Sequence, residues 1–423
     1  MTTNDPVSEV KAWLEENWDP ELTVRQWWER MGMAGWAAPT FPAEWYGKGL
    51  SNAENLQVQR TIREFGALGA PGGLGMLLAG PTIITHGSDE QKHRYVSDIV
   101  CGRVGWCQLF SEPVAGSDLA GLQTRAIRDG DEWIVNGQKV WTSSAHIADV
   151  GMLVARTNVD VPKHKGLTYF VLDMHQPGIE VRPLRELTGR ALFNEVFMTD
   201  VRVHNDAIIG GLDNGWAVTN TTLAFERSGL GAGSSASAES SAVPGTVVGH
   251  LDKRAGDFIR PRRSAQAFSV SAELMINAAR RYGKHDDPVT RQGIAKLHIE
   301  SEIGRYMTMR HRALRGSGQD LPGIGNMAKL RMSEMYRLAR EVGLGILGAR
   351  GMIHDYAEDS EPRDDDEAMD NAILDLGLWS PGPSIYGGTD QVQRNILGER
   401  ILGLPREPSD DRTLAFKDLR KNA

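Results

Sequence analysis

The chain has 423 residues, 40% hydrophobic and 24% charged, with a formal net charge of -8 and a mean hydropathy of -0.35. This length exceeds one ordinary core, so several packed layers or domains are expected, and the composition is that of a soluble globular protein. The acidic balance argues against a nucleic-acid partner that depends on phosphate neutralisation, and no apolar run approaches the roughly 20 residues of a membrane span. MTTNDPVSEV at the start carries neither an Arg-rich amphipathic pattern nor an apolar signal core, so a cytoplasmic location is expected. The two cysteines, Cys101 and Cys107, lack ligand spacing and read as a buried pair of thiols, with no metal site.

Residues 1–103 read as a helical domain. Val7–Asn17 and Pro20–Met33 space their apolar residues by three and four, with Trp13, Trp18, Trp27 and Trp28 among the core. PTFPAEWYGKGLS breaks the pattern, Ser51–Phe65 resumes it, and Met76–His86 and Asp89–Val100 follow. Ser88 and Gln91 have the spacing of a capping box for the last of these helices.

Residues 104–212 change character. Val104–Phe110, Ile134–Asn136, Val150–Arg156, Leu167–Leu172, Ile179–Pro183 and Asn194–Val203 read as strands between turn-rich segments, which predicts a compact antiparallel β domain. Residues 213–423 return to the helical period. Gly215–Gly229, Ala265–Tyr282, Val289–Leu314 and Met327–Leu347 predict a four-helix bundle, and Asp390–Leu402 a last helix after the turn GGT. Gly231–Arg263, crowded with Gly, Ser, Ala and Pro before its basic end, reads as a mobile insert; EDSEPRDDDEAMD reads as a solvated acidic surface. The fold class is α+β, mostly α.

The stretch from Trp106 to Ser144 carries the chemistry. Ser111, Gly116 and Ser117 offer hydroxyls and bare backbone that suit a phosphate or the polar edge of a ring. Trp141 offers a plane, and the hydroxyls of Thr142–Ser144 follow it. From composition alone a β-hairpin with a core tryptophan accounts for the same residues.

The order of helices, β domain and bundle, with FSEPVAGSDL and NGQKVWTSS in the middle, resembles the acyl-CoA dehydrogenase family over nearly the whole chain. GWAAP, HGSDEQKHRYV, ERSGLGAG and IYGGTDQVQRNILGERILG match in order and spacing. The resemblance implies FAD, an acyl-CoA substrate, an electron-transfer flavoprotein or similar acceptor, and a homo- or hetero-oligomer, with a dimer of dimers expected. It implies flavin-ring contacts from Gln108, Phe110, Ser111, Trp141 and Ser143. It also implies phosphate contacts from Gly116 and Ser117, further flavin contacts from Thr389 and Gln391, and substrate contacts from Ser117, Arg227 and Gly387.

Many members carry a glutamate base where this chain has Gly387. Others, which resemble the branched-chain and long-chain enzymes, carry it before an arginine on the first bundle helix, and Glu226–Arg227 fill that place. The resemblance therefore implies Glu226 as the base, held by Arg227, and a Gly387 N–H donating to the thioester carbonyl. Without it, Glu226 reads as a solvated helix carboxylate. The adenosine end of the FAD site departs from the family: Arg281, with Arg291 as its rival, keeps the arginine, but Lys284 and His285 replace Phe and Gly, and Gly345 replaces a glutamine ahead of Gly348 and Gly351. This pattern looks like the actinobacterial branch that handles bulky acyl-CoA such as steroid side chains. Two other readings share the scaffold: a partner subunit that completes another chain's flavin site, and a flavin oxidase or monooxygenase.

Overall fold

The computed structural model describes residues 5–231, 242–247, 250–259, 270–316, 319, 321–354 and 364–419. Its first part is helical: α1 (Pro6–Asn17), α2 (Val24–Met33), α3 (Asn52–Phe65), a π-helical turn Gly75–Ala79, α4 (Gly80–His86) and α5 (Asp89–Val100). Capping chemistry sets the starts. Thr23, Ser51 and Ser88 each close a capping box with Gln26, Glu54 and Gln91, so α2 begins at Val24 and not at Pro20. Trp27 and Trp28 are fully buried, and their indole N–H groups donate to Leu68 O and Gly69 O.

Eight strands follow: β1 (Trp106–Leu109), β2 (Arg125–Asp129), β3 (Glu132–Ser143), β4 (Val150–Arg156), β5 (Leu167–Asp173), β6 (Ile179–Leu184), β7 (Phe193–His204) and β8 (Ile208–Ile209). They form one sheet in the order β6-β7-β3-β2-β4-β5-β8, with β1 on β4. The expected antiparallel pattern holds for most pairs, but β1 and β2 each pair with β4 in parallel. The chain makes the whole β2–β3 hairpin between β1 and β4, which gives the long connection a parallel pair needs. Cys101 and Cys107 are buried free thiols, both pushed up to about 12 chiefly by burial.

The helical part resumes with α6 (Gly215–Gly231), α7 (Ala272–Arg281), α8 (Pro288–Gly316), α9 (Ile324–Leu347), α10 (Asp365–Trp379) and α11 (Asp390–Ile396), the last continued by a π-helical turn Leu397–Ile401. Two corrections fall here. The acidic segment is not merely a solvated surface, because α10 starts within it. Asp364 accepts from Glu367 N at 2.8 Å and three acidic residues occupy the first turn, which suits a helix N-terminus. Asp370 is buried and accepts from Tyr282 OH at 2.7 Å, while Ile373, Leu374 and Leu376 enter the bundle core.

The second concerns the insert near 231–263, whose first part, the basis of the mobile reading, falls outside the described residues. Residues 232–241, 248–249 and 260–269 lie outside the described residues, but much of the remainder is packed. Ala242, Leu251 and Ala255 are buried, Val24 N and Arg25 N donate to Lys253 O and Leu251 O at 2.9 Å, and Thr246 Oγ1 donates to Asp149. Few apolar residues suffice because the backbone itself supplies the bonds.

One core runs from Val10 to Ala255 and takes in the first helices, the sheet and the inner face of α6. A second core lies between α7, α8, α9 and α10. Arg190, in the turn between β6 and β7, joins the two parts by pairing with Asp375 of α10 at 3.0 Å.

Candidate active site

Three features of the sheet present the stretch from Trp106 to Ser144. First, β3 has a register shift between Lys139 and Thr142, and Trp141 sits there at φ 61. A bulky side chain rarely adopts that backbone, and here it turns the indole outward, 58% exposed, against the edge of Phe193. Second, a buried ion pair fixes the loop after β1. Lys139 Nζ donates to Glu112 Oε1 and to Phe110 O, both at 2.9 Å. Gln123 N donates to the other oxygen of Glu112, Oε2, and Thr124 N to Oε1. Burial opposes the Glu112 charge, yet Lys139 and these donors hold its carboxyl below the usual range. Third, the loop so held leaves Gly116 and Ser117 exposed, and a Cβ at Gly116 would meet nothing within 4 Å. Neither Glu112 nor Lys139 was expected from sequence; the EP in FSEP and the K in NGQKVW were the available signal.

The expected base lies against this platform. Gln108 Nε2 donates to Glu226 Oε2 at 3.3 Å, joining β1 to α6. Glu226 is half-buried, and burial pushes its carboxyl up, against the smaller opposing effects of Gln108 and the Arg227 charge. The neighbouring turn of α6 is fixed from two sides. Thr222 Oγ1 lies 3.0 Å from Thr82 Oγ1 and 3.3 Å from Tyr169 OH, and the Tyr169 ring meets Phe110 edge-on at 5.9 Å. No hydrogen bond from Arg227 to Glu226 is among the described contacts. Arg227 faces a cavity of about 580 Å³ that it shares with Arg400.

The GG turn before α11 is built by side chains that the motif does not advertise. Gly387 and Gly388 have φ 63 and 83. The buried Gln393 donates to Gly387 O at 2.8 Å, and accepts from Asn326 Nδ2 at 2.6 Å. Asp390, also buried, accepts from Arg337 and Lys329. Thr389 caps α11 by accepting from Val392 N, and Gln391 is exposed. Rings link this turn to the sheet: Phe193 stacks on Trp379 at 6.2 Å, and Trp379 meets Tyr386 at 6.0 Å. Gln393→Leu deprives the Gly387 carbonyl and Asn326 of their partner. It is expected to cost about 1–3 kcal/mol of unfolding free energy, read in denaturant titrations.

The structure thus brings together Gln108, Phe110 and Glu226, and links Trp141 through Phe193 to the residues before Gly387. Arg281 stands apart, paired at 3.5 Å with Asp366 and with Asp370. Arg291 donates to His285 O, and Lys284 Nζ donates to Gly345 O at 2.6 Å, so two of the departing positions touch each other. The residues near Trp141 fit a flavin. The indole face is open, and among the described residues the buried Thr142 Oγ1 and Asn194 Oδ1 have no hydrogen-bond partner.

Residues 5–103, 107–201 and 259–402 match the models of the N-terminal, middle and C-terminal domains of acyl-CoA dehydrogenases. The chain belongs to the acyl-CoA dehydrogenase family, and is thus an FAD-dependent oxidoreductase acting on an acyl-CoA thioester. It is 31% identical over 417 residues to acyl-CoA dehydrogenase IpdE1 of Mycobacterium tuberculosis, covering 95% of this chain and 97% of that one. To acyl-CoA dehydrogenase FadE34 of the same organism it is 36% identical over 373 residues, which is 88% of this chain and 45% of that one. Among solved structures it is similar to the Tcur3481-Tcur3483 steroid ACAD, with a TM-score of 0.69, 25% identity, and coverage of 95% and 97%. Among the described residues no helix is long and apolar enough to cross a membrane.

Proposed function

We propose that this chain catalyses α,β-dehydrogenation of an acyl-CoA thioester with Glu226 as the base. The observation that carries the reading is the contact between Gln108, expected at the flavin ring, and the half-buried Glu226. A proton α to a thioester is a poor acid, so its removal needs a positioned base and donors at the carbonyl. Glu226 takes the proton, and the Gly387 N–H donates to the carbonyl oxygen. FAD, when bound, supplies the acceptor for the hydride that leaves the β carbon. Gln108, Phe110, Ser111, Trp141 and Ser143 hold its ring, Gly116 and Ser117 its phosphates, and Thr389, Gln391 and Arg281 complete the contacts. The expected redox partner is an electron-transfer flavoprotein or similar carrier.

Burial makes Glu226 a stronger base and raises the pH at which it ionises, so the acid limb of the rate profile lies above the ordinary carboxylate range. The Gln108 amide favours the ionised form. Gln108→Leu is therefore expected to move that limb to higher pH, measured as flavin reduction rate against pH.

The name of the steroid-acting structural relative supports a bulky acyl group. Ile299, Ile303, Tyr306 and Met309 form an exposed apolar stripe on α8, which supports assembly through the bundle. A partner-subunit role is favoured by one observation, the Asp366 and Asp370 carboxylates that occupy Arg281. Bleaching of the purified yellow protein by branched, long-chain or steroidal acyl-CoA tests the main reading. Flavin that no thioester bleaches overturns it, and a colourless chain that gains flavin only with a related chain favours the second.

A further inference from the structure

The segment that follows residue 402 lies beyond the stretch matching the family's C-terminal domain, and the structure describes it to residue 419. It returns to the sheet as a strap. Phe416 N and Lys417 N donate to Val161 O and Val159 O at 2.9 and 3.1 Å. The Phe416 ring is buried beneath the Arg156 guanidinium, 3.4 Å from its centroid. Arg156 is itself fixed by donating to the carbonyls of Ala120, Leu122 and Lys163. Lys163 pairs with Asp118 at 2.9 Å and with Asp411 of the strap.

This latch brings Arg412 to the wall of the cavity that Arg227 faces. His164, Lys165, Trp216 and Arg400 line the same cavity, and among the described residues no lining side chain is acidic. Asp411, next to Arg412 in the strap, is engaged by Lys163. A chain of net charge -8 gathers four permanent cations around about 580 Å³, a cluster that repels itself when empty and attracts an anion. His164 and Trp216, edge to face at 4.9 Å, add an aromatic wall suited to a base.

We propose that the strap is a specificity element for the nucleotide end of the thioester carrier, with Arg412 pairing to a carrier phosphate and the Phe416–Arg156 latch holding it there. The inference rests on the reading of the substrate as a CoA thioester. Arg227, next to Glu226 in sequence, also faces this cavity. Arg412 is a positioning residue and touches no reacting atom.

The test is calorimetric binding to the holoprotein of free CoA, 3′-dephospho-CoA and pantetheine. Arg412→Gln is expected to weaken CoA about tenfold, the worth of one charge-assisted hydrogen bond, and to leave pantetheine unchanged. Arg412→Lys restores part of the affinity, and the loss shrinks at high salt. A 3′-dephospho-CoA that already binds weakly and is indifferent to Arg412→Gln identifies the 3′-phosphate as the partner; equal losses for CoA and 3′-dephospho-CoA identify the diphosphate. Phe416→Ala, if folded by its melting curve, reproduces the Arg412→Gln pattern. Wild-type CoA affinity in Arg412→Gln, or equal weakening of pantetheine, overturns the proposal. Arg412-dependent CoA binding in a protein that oxidises no thioester leaves this inference standing and removes the reading it rests on.

Discussion

Glu226→Gln is expected to bind acyl-CoA and to reduce flavin about 10³-fold more slowly, the usual scale for a lost general base. The amide keeps the size of the carboxyl and remains able to accept from Gln108, so the site is not dismantled. Stability should move the other way. Burial raises the Glu226 pKa in the folded chain, so above the unfolded-state value its ionised form works against folding. A neutral amide removes that cost at neutral pH, and the melting temperature should rise slightly as the rate falls. Stopped-flow reduction and a melting curve on the same preparation read both. Normal reduction by this variant ends the assignment of the base.

Lys139→Met is expected to cost about 3–5 kcal/mol, because it leaves the Glu112 carboxylate buried without its cation. The loop that carries Ser111, Gly116 and Ser117 hangs on that pair, so FAD should be lost along with stability. Lys139→Met combined with Glu112→Leu removes both charges and should recover part of the stability. Flavin content should recover less, since Gln123 N and Thr124 N then lose their acceptor. Denaturant unfolding and the visible spectrum of the purified variants separate the two effects. A single variant as stable as the wild type would show that the pair holds nothing in place.

The helices and strands with strong period or a side-chain cap were legible in the sequence. Ser88–Gln91 closes its box as the spacing requires, and β4 and β5 follow their apolar runs. Features that depend on partners distant in the chain were not. The start of α10 is written in acidic residues that look solvated until Tyr282 is placed against Asp370. Residues 250–259 look too polar to pack until Val24 and Arg25 are seen bonding to their backbone. The positions expected at the flavin come from motif order. The means of presenting them, a β-bulge at Trp141 and an ion pair beneath the loop, are three-dimensional facts.

The N-terminal helices and the sheet share a single interior from Val10 to Ala255, with no seam along which one might swing past the other without wetting indoles such as Trp27 and Trp106. The divide between the two cores lies instead on the bundle side, where α6 meets α9. The carboxylate proposed to react rides on α6, the element that Thr82 and Tyr169 pin to the first core, so room made for cargo on the α9 side leaves the proton acceptor in place.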